Sequence, residues 1–210
     1  MSVRVAVIDS GVHASHPHVN GVAGGVAILP DGREESDFTD RLGHGTAVAA
    51  VIREKAPDAK IYAVKIFHRS LAAQIGPLVQ AIEWSARNGI DLINLSLGTS
   101  NPAHEAVLRQ AVGAVRGRCT IVAAGEDAGV RWLPGAIDGV IPVQLDWECP
   151  REEFREVPDA AGRTTYRASG YPRPIPGVPP ERNLKGLSFA VANVTGLLAA
   201  RACVTQPSPK

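Results

Sequence analysis

Apolar residues arrive along this chain in short, nearly unbroken runs: V-R-V-A-V-I at 3–8, I-Y-A-V-K-I at 61–66, I-D-L-I-N-L at 90–95, C-T-I-V-A-A at 119–124 and G-V-I-P-V-Q-L at 139–145. Runs of this length, rich in β-branched residues and lacking strict alternation, suit strands covered on both faces of a parallel sheet. Between them the period lengthens. Ile75, Leu78, Val79, Ile82 and Ala86 keep one face of residues 72–87 apolar, and Val107, Leu108, Ala111, Val112 and Val115 do so after Pro102, so each stretch predicts an amphipathic helix. Strand alternating with helix predicts right-handed crossovers and an α/β fold: a doubly wound, mostly parallel sheet flanked by helices, with its sites beyond the carboxyl ends of the strands. Asp9, Gly98 and Gly125 fall at such ends.

The rhythm breaks over residues 149–183, which hold 7 of the 16 prolines and the charged stretch R-E-E-F-R-E at 151–156, and which we expect to be an irregular surface excursion. A last helix is expected over 188–202, lined by Ala190, Ala192, Ala199, Ala200 and Gly196, side chains small enough for close packing inside the fold. Residues 207–210 read as a frayed tail. At 210 residues, 45% hydrophobic and 20% charged, the chain fits a single domain, residues 1–210, with a substantial core.

Charge narrows the partners. A formal net charge of +1, with Lys and Arg scattered, gives no electrostatic footprint for nucleic acid or anionic lipid, leaving a small molecule, peptide or protein as partner. The apolar run at the amino terminus is too short for a signal peptide, and none reaches the roughly 18 residues of a membrane-spanning helix. Cys119, Cys149 and Cys203 match neither a disulfide framework nor zinc-site spacing, so we expect reduced thiols and a cytoplasmic protein.

Three short stretches carry chemistry. Asp9 ends the first strand in V-I-D-S-G, His44 opens a helix in G-H-G-T-A-V-A, and Ser188 opens the last helix in G-L-S-F-A. A hydroxyl nucleophile needs a neighbouring base, and the base needs an acid to fix its tautomer and steady its charge. Each residue alone is also explained by helix capping or helix-start preference. Their joint occurrence, in the order Asp, His, Ser, favours the catalytic explanation.

From V-A-V-I-D-S-G-V-H-A-S-H-P-H-V, through G-H-G-T-A-V-A-A, A-P-D-A-K-I-Y-A-V-K-I and A-I-E-W-S-A-R-N-G-I-D-L-I-N-L-S-L-G, to G-L-S-F-A-V-A-N-V-T-G, the chain resembles subtilisin-like serine proteases over nearly its whole length. The resemblance implies a serine endopeptidase that hydrolyses or transfers peptide bonds through an acyl-enzyme: Asp9 orients, His44 acts as base then acid, Ser188 attacks. It further implies that Leu95, Ser96, Leu97 and Gly98, with Ala124 and Gly125, hold an extended substrate strand, that residues 68–74 wall a neighbouring pocket, and that the Ser188 backbone N–H serves the oxyanion.

The departures are as informative. In the family, Ala-Ala-Gly is usually followed by an Asn whose amide donates to the oxyanion; here A-A-G is followed by Glu126, then Asp127. An ionised carboxylate only accepts hydrogen bonds and repels that charge. Three accounts follow: Glu126 is a neutral acid, its proton retained by burial and by Asp127; it turns out of the site, leaving weaker stabilisation to the Ser188 N–H; or catalysis is lost and the fold serves as a peptide-binding or scaffold subunit. If either acid faced the first specificity pocket, basic substrate side chains would be preferred. Residues 47–59 leave no room for the calcium-binding loop of many relatives, so no calcium dependence is expected. Residues 126–146 look short, and Leu187 and V-A at 191–192 replace the family's usual Thr and Ser-Pro, both packing changes. About 20 residues follow Ser188, and no propeptide is expected before the first strand, so we expect either that the chain folds unaided or that a partner protein covers that region. His13, with His16 and His18 of the S-H-P-H that follows it, is better explained as part of a loop the relatives share than as a metal site; we expect no metal and no cofactor. A general protease would endanger its own cytoplasm, so narrow specificity, such as maturation of one precursor peptide, is expected.

Overall fold

A computed structural model describes residues 2–159 and 162–205. The five anticipated strands form: β1 (Arg4–Asp9), β4 (Lys60–Lys65), β5 (Leu92–Leu95), β6 (Thr120–Ala124) and β9 (Val140–Leu145). Six further strands join them: β2 (Gly24–Ile28), β3 (Glu34–Glu35), β7 (Glu126–Asp127), β8 (Val130–Arg131), β10 (Arg155–Pro158) and β11 (Thr164–Ala168). Among the described residues there are also four α-helices: α1 (His44–Lys55), α2 (Ile75–Arg87), α3 (Glu105–Val115) and α4 (Leu187–Thr205).

The principal sheet has the order β10-β11-β9-β6-β5-β1-β4-β2-β3, parallel except at its two edge strands, while β7 and β8 form a separate antiparallel hairpin. After β1 the chain crosses to β2 and β3 on one side and comes back to lay β4 between β1 and β2, then passes to the other side to build outward through β5, β6 and β9. Direction therefore reverses between β1 and β5. That junction is where an open α/β sheet offers a crevice at its carboxyl edge.

Helices cover both faces. Ala6 and Ile8 of β1 point into a core shared with Leu78 and Ile82 of α2 and Leu108 and Val112 of α3. Val5 and Val7 point the other way, toward Val48 and Ile52 of α1 and Phe189 and Ala192 of α4. The strand period of two then carries Asp9 to the face of α1 and α4. Helix α4 is buried along most of its length. A methyl added at Gly196 would lie 3.0 Å from Lys55 Cβ and 3.2 Å from Ile52 Cα, so the small residue lets α4 lie directly against α1.

One expectation is corrected here. Residues 149–183 are not wholly irregular, because β10 and β11 make a hairpin within them and β11 extends the sheet by pairing parallel with β9. Buried Phe154 and Ala168 anchor this hairpin to Val143 and to α4 residues Ala190, Val191 and Val194. The anticipated frayed tail at 207–210 lies outside the described residues. Among the described residues no helix is long and apolar enough to cross a membrane.

Candidate active site

The switch point between β1 and β5 gathers the residues singled out above. Asp9, fully buried, presents both carboxylate oxygens to the His44 ring, with Nδ1 2.8 Å from Oδ1 and 2.9 Å from Oδ2. This geometry makes Nδ1 the protonated nitrogen and leaves Nε2 as the proton acceptor. Burial pushes the His44 pKa down, but the hydrogen bond and charge of Asp9, aided by the charge of Asp40, more than offset it, so the net shift is upward.

Glycine makes this approach feasible. A Cβ at Gly45 would sit 2.2 Å from the Gly11 carbonyl oxygen and 3.1 Å from Asp9 Cβ, so no other residue lets the start of α1 come so near the end of β1. The first turn of α1 is then held by neighbouring side chains: Ser10 Oγ accepts the Gly45 N–H (2.9 Å), and Asp40 Oδ2 accepts the Thr46 N–H (2.9 Å). Neither Ser10 nor Asp40 was singled out from sequence. The available signal was an acid spaced to cap a helix whose N-cap, Gly43, has no side chain.

Ser188 stands in the first turn of α4, and its hydroxyl donates to the Ser96 carbonyl (3.1 Å) rather than to His44. Ser96 returns the contact, its own hydroxyl donating to the Ser188 carbonyl (2.8 Å). Behind this pair lies a buried polar chain in which Asn94 Nδ2 donates to Ser96 Oγ (2.9 Å) and Thr195 Oγ1 donates to Asn94 Oδ1 (3.0 Å). It ties the end of β5 to α4. The Ser188 N–H lies in the opening turn of α4, ahead of the Phe189 and Ala190 N–H groups, which donate back to the Gly186 carbonyl (3.0 and 3.3 Å).

His44, Ser96, Leu97, Gly98, Ala124 and Ser188 all line one cavity of about 490 Å³. Its remaining wall is largely apolar, from Phe67, Leu71, Ile75, Leu78, Trp132 and Val191. The wall contributed by residues 71–75 overlaps the anticipated pocket segment 68–74, of which residues 68–70 do not line the cavity. Two anticipated substrate residues do not line it. Leu95 is fully buried and paired on both sides, to Ile8 and Ala123. Gly125 is likewise committed, its N–H to the Val143 carbonyl and its carbonyl to the Trp132 N–H (2.9 and 2.8 Å).

Glu126 is also outside this cavity. It is exposed, at the start of the β7–β8 hairpin and opposite Arg131, so the buried setting in which it could serve the oxyanion as a neutral acid is absent. Asp127 is likewise absent from the cavity wall, which contains no carboxylate, and the expected preference for basic side chains loses its basis. Rings of His16 and His18 meet edge to face at 5.2 Å, and the described residues include no group of three or more His, Cys, Asp or Glu placed to hold a metal.

A sequence profile of the subtilase family matches residues 1–150, which include Asp9 and His44. Relatives extend the match across Ser188. Subtilisin Savinase of Lederbergia lenta is 32% identical over 99% of this chain and 77% of its own length. Alkaline protease of Alkalihalobacillus alcalophilus is also 32% identical over 99% of this chain, which spans only 55% of that relative. Among solved structures, a cold adapted subtilisin-like serine proteinase superposes with a TM-score of 0.71 at 19% identity, covering 97% of this chain and 76% of the other. A lanthipeptide protease superposes at 0.68 and 20% identity, covering 98% and 76%. The fold, with its parallel sheet and flanking helices, is that of subtilisin, and the chain belongs to the subtilase family.

Proposed function

We propose that this chain is a serine endopeptidase in which Asp9, His44 and Ser188 form the catalytic triad. The observation that carries the reading is the two-oxygen contact of Asp9 with His44 at the rim of a cavity that Ser188 also lines. Rotation of Ser188 about χ1, from one staggered well to another, releases its hydroxyl from the Ser96 carbonyl toward His44 Nε2. His44 takes the proton as Ser188 Oγ attacks the scissile carbonyl, and Asp9 stabilises the imidazolium. His44 then protonates the leaving amine, and water, or another amine in a transfer reaction, resolves the acyl-enzyme by the reverse sequence. The Ser188 N–H and the amino terminus of α4 face the oxyanion.

Substrate binding follows from the same crevice. Residues 96–98 continue beyond the end of β5 and have no strand partner among the described residues until Thr99 pairs with Leu133, leaving backbone for an added peptide strand. The apolar cavity favours apolar or aromatic side chains, which suits narrow specificity for a precursor peptide. That one protein of this fold is a lanthipeptide protease accords with such a role. The reading places the protein in the cytoplasm, in keeping with free thiols at Cys119, Cys149 and Cys203.

Labelling with a fluorophosphonate tests the assignment. Wild type should react and Ser188→Ala should not. Reaction seen only with Glu126→Asn would favour a catalytically silent peptide-binding subunit, and no reaction in either would overturn the triad.

A further inference from the structure

Beside the pair formed by Asp9 and His44 lies one more buried charge that the chemistry above does not use. Asp40 is 8% exposed. Its Oδ1 accepts the N–H groups of Leu42 and Gly43, both at 2.9 Å, and its Oδ2 accepts the Thr46 N–H (2.9 Å) and the Thr46 hydroxyl (2.7 Å). Four donors converge on one carboxylate at the amino terminus of α1, where a negative charge also complements the helix dipole. Thr46 Oγ1, while donating to Asp40, accepts the His13 N–H (3.0 Å). The loop that leaves Asp9 is thereby strapped to the turn that carries His44.

We propose that Asp40 is a positioning residue for His44: its carboxylate clamps the first turn of α1 against the exit of β1, so that the imidazole is delivered to Asp9, and it places a second negative charge near the ring. This inference rests on His44 being the general base.

The electrostatic surroundings are simple. Asp9 acts on His44 from β1 and Asp40 from the segment before α1, while α4 contributes Phe189, an uncharged ring 5.8 Å away. From β4, Lys65 bears on Asp40, its Nζ donating to the Thr39 carbonyl at 2.6 Å. Burial pushes the Asp40 pKa up, but the hydrogen bonds from Thr46, Leu42 and Gly43 prevail and hold it below the ordinary carboxylate value, so Asp40 is ionised at neutral pH.

Two variants separate positioning from mere support. Asp40→Asn removes the charge and the acceptor that Thr46 uses, and Thr46→Val cuts the strap to His13 while keeping the charge. The readouts are kcat/KM against pH with a peptide substrate, the NMR titration of the His44 ring, and the low-field resonance of its Nδ1 proton. Asp40→Asn should move both the acid limb of kcat/KM and the His44 titration to lower pH, weaken the low-field resonance, and lower the plateau by about tenfold or more, a modest part of what misplacement of a catalytic group costs. Thr46→Val should lower the plateau and leave the titration in place. An unmoved His44 titration in Asp40→Asn overturns the proposal, as does an unchanged plateau. Should Asp40→Asn fail to fold, a normal plateau in Thr46→Val would overturn it instead. Because the titration needs no turnover, a wild type inert to fluorophosphonate would sink the proposed function alone and leave the coupling of Asp40 to His44 to be judged by NMR.

Discussion

Replacing Gly45 by Ala probes how tightly the site is built. The added methyl would lie 2.2 Å from the Gly11 carbonyl oxygen. A carbon and an oxygen settle no closer than about 3.3 Å, so the start of α1 and the exit of β1 must part by about 1 Å. Gly11 has no slack to give, since its own φ is +97° and a Cβ there would meet the Phe38 carbonyl oxygen at 2.2 Å. Overpacking of this kind costs about 1–3 kcal/mol, which lowers Tm by roughly 2–12 °C for a domain of this size. The same methyl would lie 3.1 Å from Asp9 Cβ and 3.2 Å from Asp9 Oδ1, so the parting disturbs the contact of Asp9 with His44, and about 1 Å of misplacement lowers kcat/KM by about 10²-fold. Thermal unfolding by circular dichroism and steady-state hydrolysis of a peptide ester measure the two effects. Gly76→Ala supplies the contrast in stability, because a methyl there meets nothing within 4 Å and should stabilise α2 by about 0.4–1 kcal/mol. A Gly45→Ala protein with wild-type Tm and kcat/KM would refute the close approach of the two segments.

Glu126 sits outside the cavity, so Glu126→Ala should alter kcat/KM by less than about threefold, far below the roughly 10²- to 10³-fold effect known for losing an oxyanion donor in subtilisin; a loss of that larger size would show that the carboxyl works in the site. The raised pKa of His44 fixes two signs. Activity should climb with pH through a limb above the ordinary value of 6.5, because only neutral imidazole is a base, and a limb below 6.5 in kcat/KM would contradict the net effect of Asp9. Stability carries the opposite sign: the contribution of this group is complete below the unfolded pKa and fades as pH rises through the folded one, so urea unfolding should show wild type losing more stability than His44→Ala from pH 6 to 9. Finally, a peptide library should show cleavage beside Leu or Phe favoured over Lys, and Trp132→Ala should relax that preference; preferred cleavage beside Lys would show that the carboxylate-free cavity is not the specificity pocket.

The parts of the fold that sequence revealed are those where burial alone dictates residue type. Five strands covered on both faces must be apolar throughout, and α2 and α3 each bury one stripe, so their patterns are unmistakable. Strand β2 escaped because it opens with Gly24 and Gly25; a Cβ at Gly25 would lie 2.3 Å from the Ala63 carbonyl oxygen, so close strand contact removes the side chains that announce a strand. In β10, R-E-V-P presents mostly exposed positions and ends on a proline that disguises a sheet edge as a loop, while T-T-Y-R-A in β11 buries only Thr165 and Ala168, too little for an apolar run. Asp9, His44 and Ser188 stood out through their joint occurrence in the order Asp, His, Ser, since each type alone is ordinary at a strand or helix end. The engagement of Leu95 and Gly125 was not legible, since a motif shows which backbone is near a crevice but not which of its N–H and C=O groups the sheet has already taken. Asp40 was overlooked because its four donors are assembled only by the turn it caps.

The two carboxylates that follow A-A-G belong to this last class of question, where identity is plain and direction is not. After Gly125 the chain does not run along the crevice but folds into the β7–β8 hairpin, and the Trp132 N–H closes it by donating to the Gly125 carbonyl. The wall then resumes at Trp132, which lines the cavity in company with Ala124 as though residues 126–131 had been looped out. A carboxyl side chain at the hairpin's root is accommodated because that position is exposed. What the proposed enzyme forgoes is a side-chain donor to the oxyanion, leaving the Ser188 N–H and the α4 amino terminus to supply that stabilisation. Tetrahedral intermediates form on both sides of the acyl-enzyme, so the deficit slows acylation and deacylation together and lowers kcat without favouring water over another amine. The proposed narrow specificity suits such a deficit, since a single well-fitted peptide held in the apolar crevice asks less of turnover than of selection.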